Sequence, residues 1–306
     1  MKEYDLIIIG GGPAGMTAGL YGARASLKTL IIERGMPGGQ AATTFDIANY
    51  PGFPGGISGP DLAMKMYEQT MEHGAEYVFG EITSMELEGQ VKRIVVNDEV
   101  LASKTVILAT GAEPRKLGAP GEERLRGRGV SYCATCDGAF YRDKKVVVVG
   151  GGDAAVEEGL YLTRFASSVT IVHRRGELRA HAAAQQKAFA NPKINFIWYS
   201  EVIEIIGDEV VEGVKLKNRE TGTESTLPCD GVFIYVGQNP MTELFPAKLN
   251  LSPEGYLITD EYLRTNIPGV YGAGDVRKTV LRQLVTAVAD GAVAAVSALK
   301  YIEEQD

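Results

Sequence analysis

Two cysteines three residues apart, Cys133 and Cys136, carry the most evident chemistry of this sequence, and Asp137 follows them directly. At the start of a helix this spacing brings both sulfurs within disulfide range, and the positive end of the helix dipole favours a thiolate there. A carboxylate beside a dithiol can carry the proton that disulfide exchange moves. The spacing therefore indicates a redox-active disulfide with Asp137 as its acid–base group.

Two other interpretations of the cysteine pair remain open from the residues alone. Structural zinc needs four ligands, but the third cysteine, Cys229, lies far downstream without a second pair, and none of the three histidines has ligand spacing. Two inert buried cysteines are the other alternative, because free cysteine is often simply part of a core. We expect Cys229 itself to be structural, near the start of a strand.

A glycine-rich turn follows the Ile-rich run at residues 4–9 and carries Gly10, Gly12 and Gly15. We predict a strand at 4–9, a helix at 16–25 and a second strand that ends at Glu33. In this arrangement the first glycine makes the turn, the second admits a pyrophosphate and the third lets helix and strand pack closely. The diphosphate then lies on the helix N-terminus and Glu33 accepts hydrogen bonds from a ribose. A tight turn that needs glycine for packing only is the alternative.

The same pattern recurs with one informative change. The run at 145–149 leads into Gly150 and Gly152, and we predict a helix to residue 165 and a further strand. Gly10 and Glu33 are 23 residues apart, and the same step from Gly150 reaches His173. Basic residues follow instead of an acid, namely Arg174, Arg175 and Arg179. Guanidinium groups bind a 2′-phosphate that a carboxylate would repel, so the second site is predicted to take NADPH rather than NADH. A solvated, charged helix start is the alternative.

Two similar strand exits bracket this second unit. The runs VILATG at 106–111 and FIYVG at 233–237 are each followed within a few residues by a proline, which suits a stiff crossing between domains. The sequence therefore predicts an α/β fold with two Rossmann-like dinucleotide-binding domains, the second inserted into the first. Residues 1–112 and 243–306 form the first, discontinuous domain, and residues 113–242 form the inserted domain with the cysteine pair. Near the end, a short strand leads to Asp275, which either holds a polyol chain or caps a turn, and a final helix covers 284–303.

Length and composition set the outer limits of this interpretation. The chain has 306 residues, a formal net charge of −8, 45% hydrophobic residues and 23% charged residues. These proportions are typical of a globular protein with real cores and argue against disorder. The acidic balance argues against nucleic acid as the main partner, and no uncharged apolar run reaches the roughly 20 residues of a membrane helix. We expect no signal peptide and a cytoplasmic location.

The motifs together resemble the low-molecular-weight, bacterial-type thioredoxin reductases, which are FAD- and NAD(P)-dependent pyridine nucleotide-disulfide oxidoreductases. The resemblance covers the whole chain through GGGPAG, GGQ, ATG, CATCDG, GGGDAA, HRRGELR, GAGD and RQLVTA. It implies a homodimer with FAD, and electron flow from NADPH through FAD and the disulfide to thioredoxin. It implies that Cys136 lies nearest the flavin, that Cys133 attacks thioredoxin and that Asp137 is the acid–base group.

The resemblance also implies which residues hold the two cofactors. Those expected to hold FAD are Gly10, Gly12, Pro13, Ala14, Gly15, Glu33, Arg34, Gly39, Gln40, Asn49, Thr110, Gly111, Gly274, Asp275, Arg282, Gln283 and Leu284. Those expected to hold NADPH are Gly152, Asp153, Ala154, His173, Arg174, Arg175 and Arg179. The family usually has Asp and Phe where this chain has Gly176 and Leu178, and often Gly where Ala289 stands.

The expected layout has a mechanical consequence. The inserted domain carries both the disulfide and the nicotinamide site, so it is expected to swing on its two crossings during turnover, and cross-linking the domains is expected to stop turnover. Related enzymes that serve another disulfide carrier, and a flavin-based redox sensor without turnover, are the competing hypotheses.

Overall fold

The computed structural model describes residues 2–44, 47 and 49–305, which divide into two compact units. Unit 1 contains the chain up to Glu113 and again from Asn239, and unit 2 is Pro114–Gln238. The second crossing therefore lies at 238/239, a few residues before the expected return at 243.

The strands are β1 Lys2–Ile9, β2 Thr29–Glu33, β3 Glu76–Phe79, β4 Ile82–Glu86, β5 Lys92–Val96, β6 Glu99–Leu108, β7 Ala112–Pro114, β8 Val130–Ser131, β9 Lys145–Val149, β10 Ser168–Val172, β11 Ile194–Ile197, β12 Ser200–Ile206, β13 Gly213–Asn218, β14 Glu224–Pro228, β15 Gly231–Ile234, β16 Gln238–Pro240 and β17 Val270–Gly272. The α-helices are α1 Pro13–Arg24, α2 Gly59–Glu72, α3 Ala134–Asp137, α4 Asp153–Leu162, α5 Ala182–Ala190 and α6 Leu284–Gln305. Short 3₁₀ turns lie at Gly39–Thr43, Gly138–Tyr141 and Gly274–Val276.

Unit 1 is built on a sheet in the order β3-β2-β1-β6-β5-β4, with β17 beside β6. Strands β2 and β6 flank β1 in parallel, so that Ile8 pairs with Ile31 on one side and with Ile107 on the other. All three isoleucines are buried, as expected for central parallel strands that are covered on both faces. The carboxyl ends of β1, β2 and β6 consequently meet at one edge, where Gly10 follows β1.

Unit 2 repeats this plan with a parallel sheet in the order β11-β10-β9-β15-β8, next to an antiparallel sheet of β12, β13 and β14. The predicted strand at 145–149 is confirmed as β9, which lies between β10 and β15. The predicted helix to residue 165 ends earlier, at Leu162. The two crossing segments, β7 and β16, pair with each other as a two-stranded sheet.

Two helices of unit 1 cross at close range. Helix α1 begins at Pro13 instead of residue 16, because a proline at the first helical position needs no N–H partner. Helix α6 packs along it through small residues such as Gly291, where an added Cβ would clash with the carbonyl of Ala14. Among the described residues, α6 alone has the length and apolar composition that a membrane span would need, and its buried face packs in this core.

Candidate functional site

The turn after β1 leaves an open, side-chain-free helix start. Gly10 has φ +105°, and a Cβ there would press against the backbone of Ala109 at the end of β6. Gly15 likewise has no room for a Cβ, which would meet the carbonyl of Gly10. Gly12 differs, because it caps α1 without a side chain and a Cβ on it would meet nothing within 4 Å. The start of α1 therefore has no side-chain cap and is open beside Gly12, the arrangement that binds a diphosphate.

Other predicted residues lie around this turn. Glu33 at the end of β2 accepts hydrogen bonds from the N–H of Gly11 at 2.6 Å and of Gly35 at 2.8 Å. An ionised carboxylate has about four acceptor positions, so two remain for a ligand. Gly39 lies beside Gly12, and Gln40 follows it in the short 3₁₀ turn. The structure thus brings the first glycine turn and the GGQ segment together.

The GAGD turn approaches the same helix start from β17. A Cβ on Gly274, which has φ +76°, would lie 2.9 Å from Cβ of Ala14. Burial raises the pKa of Asp275 to about 6, with Arg282 lowering it and Asp290 raising it further. A sequestered carboxyl of this kind is suited to hold a polyol hydroxyl. The alternative role of Asp275 as an N-cap finds no support, since the residue before this 3₁₀ turn is Ala273.

Residues far apart in sequence meet in the remainder of this region. Asn49 donates to Oε1 of Gln283 at 2.9 Å across 234 positions. Arg282 lies 4.0 Å from the ring centre of Tyr256, and its Nε is buried without a hydrogen-bond partner. The remaining residues predicted to hold FAD have other contacts in unit 1. The Thr110 hydroxyl donates to the carbonyl of Met241, and Arg34 forms a surface ion pair with Glu113. Gly111 has φ +75°, and Leu284 is the first residue of α6.

Unit 2 has an equivalent turn after β9. Gly150 has φ +149°, and a Cβ there would lie 2.5 Å from the carbonyl oxygen of Tyr235. Gly152 caps α4 without a side chain and faces open space, as Gly12 does in unit 1. In both turns an added Cβ on the middle glycine would clash with a side chain, the Tyr77 hydroxyl for Gly11 and the His173 ring for Gly151. The two turns therefore share their geometry as well as their sequence.

The basic cluster lies beside this second turn. His173 is buried, and its pKa is lowered by burial and then by the positive charges of Arg179, Arg174 and Arg175. The N–H of Arg179 donates to the carbonyl of Gly151, which fixes the cluster to the turn. All three arginines are exposed, and in the part of the chain that the structure describes none is paired with a carboxylate. These guanidinium groups are available for an anion.

Other residues that the sequence singled out also lie in unit 2. Asp153, predicted to contact NADPH, accepts hydrogen bonds from the backbone N–H and Nδ1 of His181, which lower its pKa. Ala154 is exposed beside it. At the position where the family usually has Asp, Gly176 lies under the Tyr199 ring, whose hydroxyl fills the space of a side chain. Leu178 is buried in the core of unit 2.

The cysteine pair forms a disulfide at the start of α3. Cys133 is the N-cap, its Cα lies 5.3 Å from that of Cys136, and the Cys136 N–H donates to Cys133 Sγ at 3.2 Å. The prediction of a helix start is confirmed. Asp137 ends α3 and accepts a hydrogen bond from Ser131 Oγ at 2.6 Å. Cys229 is buried, and burial raises the pKa of its thiol to about 12, as suits a structural cysteine.

Sequence reasoning missed three polar residues in these sites. Glu158 and Tyr235 contact the backbone of α3, and Asp290 of α6 forms a half-buried bidentate ion pair with Arg277 at 2.6 and 2.8 Å. Only the acidic pair at 157–158 on a helix behind the second glycine turn gave a local signal. Within residues 2–44, 47 and 49–305 no cluster of three or more metal-binding side chains occurs.

Comparisons with known proteins give a consistent result. A family model for pyridine nucleotide-disulphide oxidoreductases matches residues 4–291. The thioredoxin reductase of Listeria monocytogenes is 55% identical over 99% of this chain and 95% of its own length, and that of Bacillus subtilis is 51% identical over 99% and 96%. The crystal structure of the thioredoxin reductase from Streptococcus pyogenes is 52% identical, with a TM-score of 0.93 and 99% of each chain covered. The predicted α/β fold with two dinucleotide-binding domains is thereby confirmed.

Proposed function

The chain belongs to the pyridine nucleotide-disulphide oxidoreductase family, and from that premise we propose that it is an NADPH-dependent thioredoxin-disulfide reductase. It transfers electrons from NADPH through FAD and the Cys133–Cys136 disulfide to oxidised thioredoxin. The observation that carries this proposal is a disulfide at a helix start in the same unit as a glycine turn flanked by three exposed arginines. The similarity to thioredoxin reductases along the full chain supports it.

The residues of unit 1 fit FAD. The open helix start at Gly12 suits the diphosphate, Glu33 has free acceptor positions for the adenosine ribose, and the sequestered Asp275 suits the ribityl hydroxyls. When bound, FAD supplies a carrier that accepts a hydride from NADPH and passes two electrons to a disulfide. The protein holds that carrier, and its glycines leave room where the diphosphate must approach the backbone.

The residues of unit 2 fit NADPH. Gly152 leaves the start of α4 open for a diphosphate, and Arg174, Arg175 and Arg179 are exposed shortly after the end of β10, where a 2′-phosphate is expected. The lowered pKa of His173 keeps its ring neutral at neutral pH, so it can pack against the turn while the arginines supply the charge. The selectivity for NADPH over NADH therefore rests on the guanidinium groups.

The sulfur chemistry follows from the start of α3. After reduction, a thiolate on Cys133 keeps the Cys136 N–H as a donor and has the Thr135 hydroxyl 3.4 Å away. Cys133 attacks the thioredoxin disulfide, forming one S–S bond and releasing one thioredoxin thiolate, which takes up a proton. Cys136 then attacks Cys133, which restores the internal disulfide and releases the second thiolate. Asp137, hydrogen-bonded to Ser131, is placed next to the pair to donate these protons.

The assembly and location of the protein belong to this proposal as well. The enzyme acts as a homodimer in the cytoplasm, where thioredoxin is its protein substrate. The family resemblance supports the dimer, and the relatives that carry the name thioredoxin reductase support the substrate.

A coupled assay tests the proposal. Purified holoprotein, NADPH, thioredoxin and a thiol dye are mixed, and the loss of absorbance at 340 nm is followed. Cys136→Ser is expected to abolish thioredoxin-dependent NADPH oxidation while NADPH still bleaches the yellow flavin. Cys229→Ser, which changes a buried cysteine outside the pair, is the matched control and should retain activity. NADPH oxidation that is unaffected by Cys136→Ser would instead identify an oxidase or a sensor.

A further inference from the structure

The N-terminal backbone donors of α3 are each satisfied by a different group of unit 2. The N–H of Ala134 donates to the Tyr235 hydroxyl at 2.6 Å, and that of Cys136 donates to Cys133 Sγ. Between them, the N–H of Thr135 donates to the carboxyl group of Glu158 on α4. One carboxylate thus accepts a hydrogen bond from the residue that follows Cys133 and precedes Cys136, at the helix end that would otherwise favour a thiolate.

Glu158 differs sharply from its neighbour Glu157. Its Oε2 is buried without a hydrogen-bond partner, and burial, followed by the charge of Glu157, raises its pKa to about 6. Glu157 is exposed and lies 3.7 Å from the His181 ring at the start of α5. Buried carboxylates that accept only part of their possible hydrogen bonds are costly, so a functional reason for Glu158 is worth seeking.

We propose that Glu158 is a positioning residue for the redox couple: it holds the start of α3 through Thr135, and its negative charge disfavours the thiolate form of the Cys133–Cys136 pair. The charge thereby lowers the reduction potential of the disulfide, so that the reduced enzyme is a stronger electron donor. This inference rests on the proposed function. The reduction breaks the S–S bond with two electrons from NADPH by way of the flavin, leaving one sulfur as a thiol and the other as a thiolate or thiol.

The sign of the effect follows from electrostatics. A thiolate at the start of α3 is stabilised by the N–H groups that point at it, and a carboxylate on the adjacent N–H repels it. The other ionisable groups nearby are the same in wild type and in the Glu158 variants. Burial raises the pKa of Tyr235 so far that its hydroxyl stays neutral, and the carboxyl group of Asp137, which accepts a hydrogen bond from Ser131, contributes equally in every variant. His181 pairs with Asp153 and lies near Glu157, not Glu158.

Redox equilibration of the holoenzyme tests the inference. Wild-type protein and the Glu158→Gln variant are equilibrated in dithiothreitol buffers at pH 7.5 and quenched with acid. The free thiols are then alkylated after denaturation, and mass spectrometry counts the labels on each protein. Glu158→Gln keeps the shape and an acceptor oxygen but removes the charge. We expect its ratio of dithiol to disulfide to rise about tenfold, equal to about 30 mV for this two-electron couple. At pH 5.0, where the wild-type carboxyl is protonated, the difference should fall below about threefold.

Matched variants separate charge from packing. Glu158→Asp keeps the charge and should stay within about threefold of wild type, and Glu157→Gln, the exposed neighbour, should match wild type. Should Glu158→Gln not fold, Glu158→Met removes the same charge and is expected to give the same rise. A wild-type ratio in the neutral variant at pH 7.5, or an equal shift in Glu158→Asp, overturns the inference. These outcomes do not depend on thioredoxin, so they are distinct from a failure of the proposed function.

Discussion

Asp275 is expected to destabilise the flavin-free protein, and Asp275→Asn should therefore raise its stability. Burial raises the pKa of this carboxyl from 3.8 to about 6. At pH 8 the folded state must hold it ionised, and the difference from its unfolded pKa corresponds to about 3 kcal/mol as an upper limit. The amide carries no such cost, so the variant apoprotein is expected to unfold at higher denaturant concentration.

The dependence on pH gives the sharpest form of this prediction. Because the folded pKa is raised, the penalty is complete above about pH 6 and disappears as the pH falls towards the unfolded value near 3.9. The gain from Asp275→Asn should therefore fall from about 3 kcal/mol at pH 8 to about 1 kcal/mol at pH 4.5. Flavin binding should change in the opposite direction, because a charge-assisted hydrogen bond becomes a neutral one, and we expect a loss of about tenfold to a hundredfold in affinity.

Urea unfolding of apoprotein at the two pH values and fluorescence titration with FAD measure both effects. Asp98→Asn, in the exposed turn between β5 and β6, is the matched control and should change neither quantity. A variant that is equally or less stable than wild type at pH 8, or a gain at pH 4.5 as large as the gain at pH 8, would refute the reasoning from burial.

Three further perturbations address the other parts of the molecule. Arg174→Ala combined with Arg175→Ala should lower kcat/KM for NADPH by about thirtyfold to a hundredfold and leave kcat/KM for NADH unchanged. An equal loss with both nucleotides would contradict a 2′-phosphate site. The pKa of His173 is lowered in the folded protein, so between pH 7.5 and 5.5 the unfolded chain binds more protons and the melting temperature falls as the pH falls. His173→Phe should make this fall smaller. A pH dependence like that of wild type would contradict the prediction. Gly291→Ala should destabilise by about 1–3 kcal/mol in thermal unfolding, because the added Cβ meets the backbone of α1, whereas Gly55→Ala, with open space around it, should be neutral.

The sequence predicted best where local geometry leaves few alternatives. Gly10 and Gly150 both have positive φ and lie against neighbouring backbone, so only glycine fits at these positions. The residues 23 positions after them, Glu33 and His173, each lie beside the next glycine of their turn, Gly11 and Gly151. The strands β1 and β9 are short β-branched runs buried on both faces, which periodicity detects. Helix ends were less certain: α1 starts earlier than expected at Pro13.

The sequence predicted least where partners come together only through the fold. Tyr235 contacts Ala134 across 101 positions, and Asn49 contacts Gln283 across 234. No local pattern indicates such pairs, because their proximity is created by the order of strands in the sheets. Asp153 is a further example: its place in the glycine motif predicts a cofactor contact, and no local pattern indicates its hydrogen bond with His181, 28 positions away.

The burial of Cys229 has a practical consequence for the chemistry of the whole chain. Its thiol is sequestered, and a pKa near 12 leaves almost no thiolate at physiological pH. Thiol-directed reagents are therefore directed to the Cys133–Cys136 pair, and no third reactive thiol competes to scramble the disulfide. In native protein, the number of maleimide groups incorporated should read out the redox state directly: none when the pair is oxidised, and at most two when it is reduced.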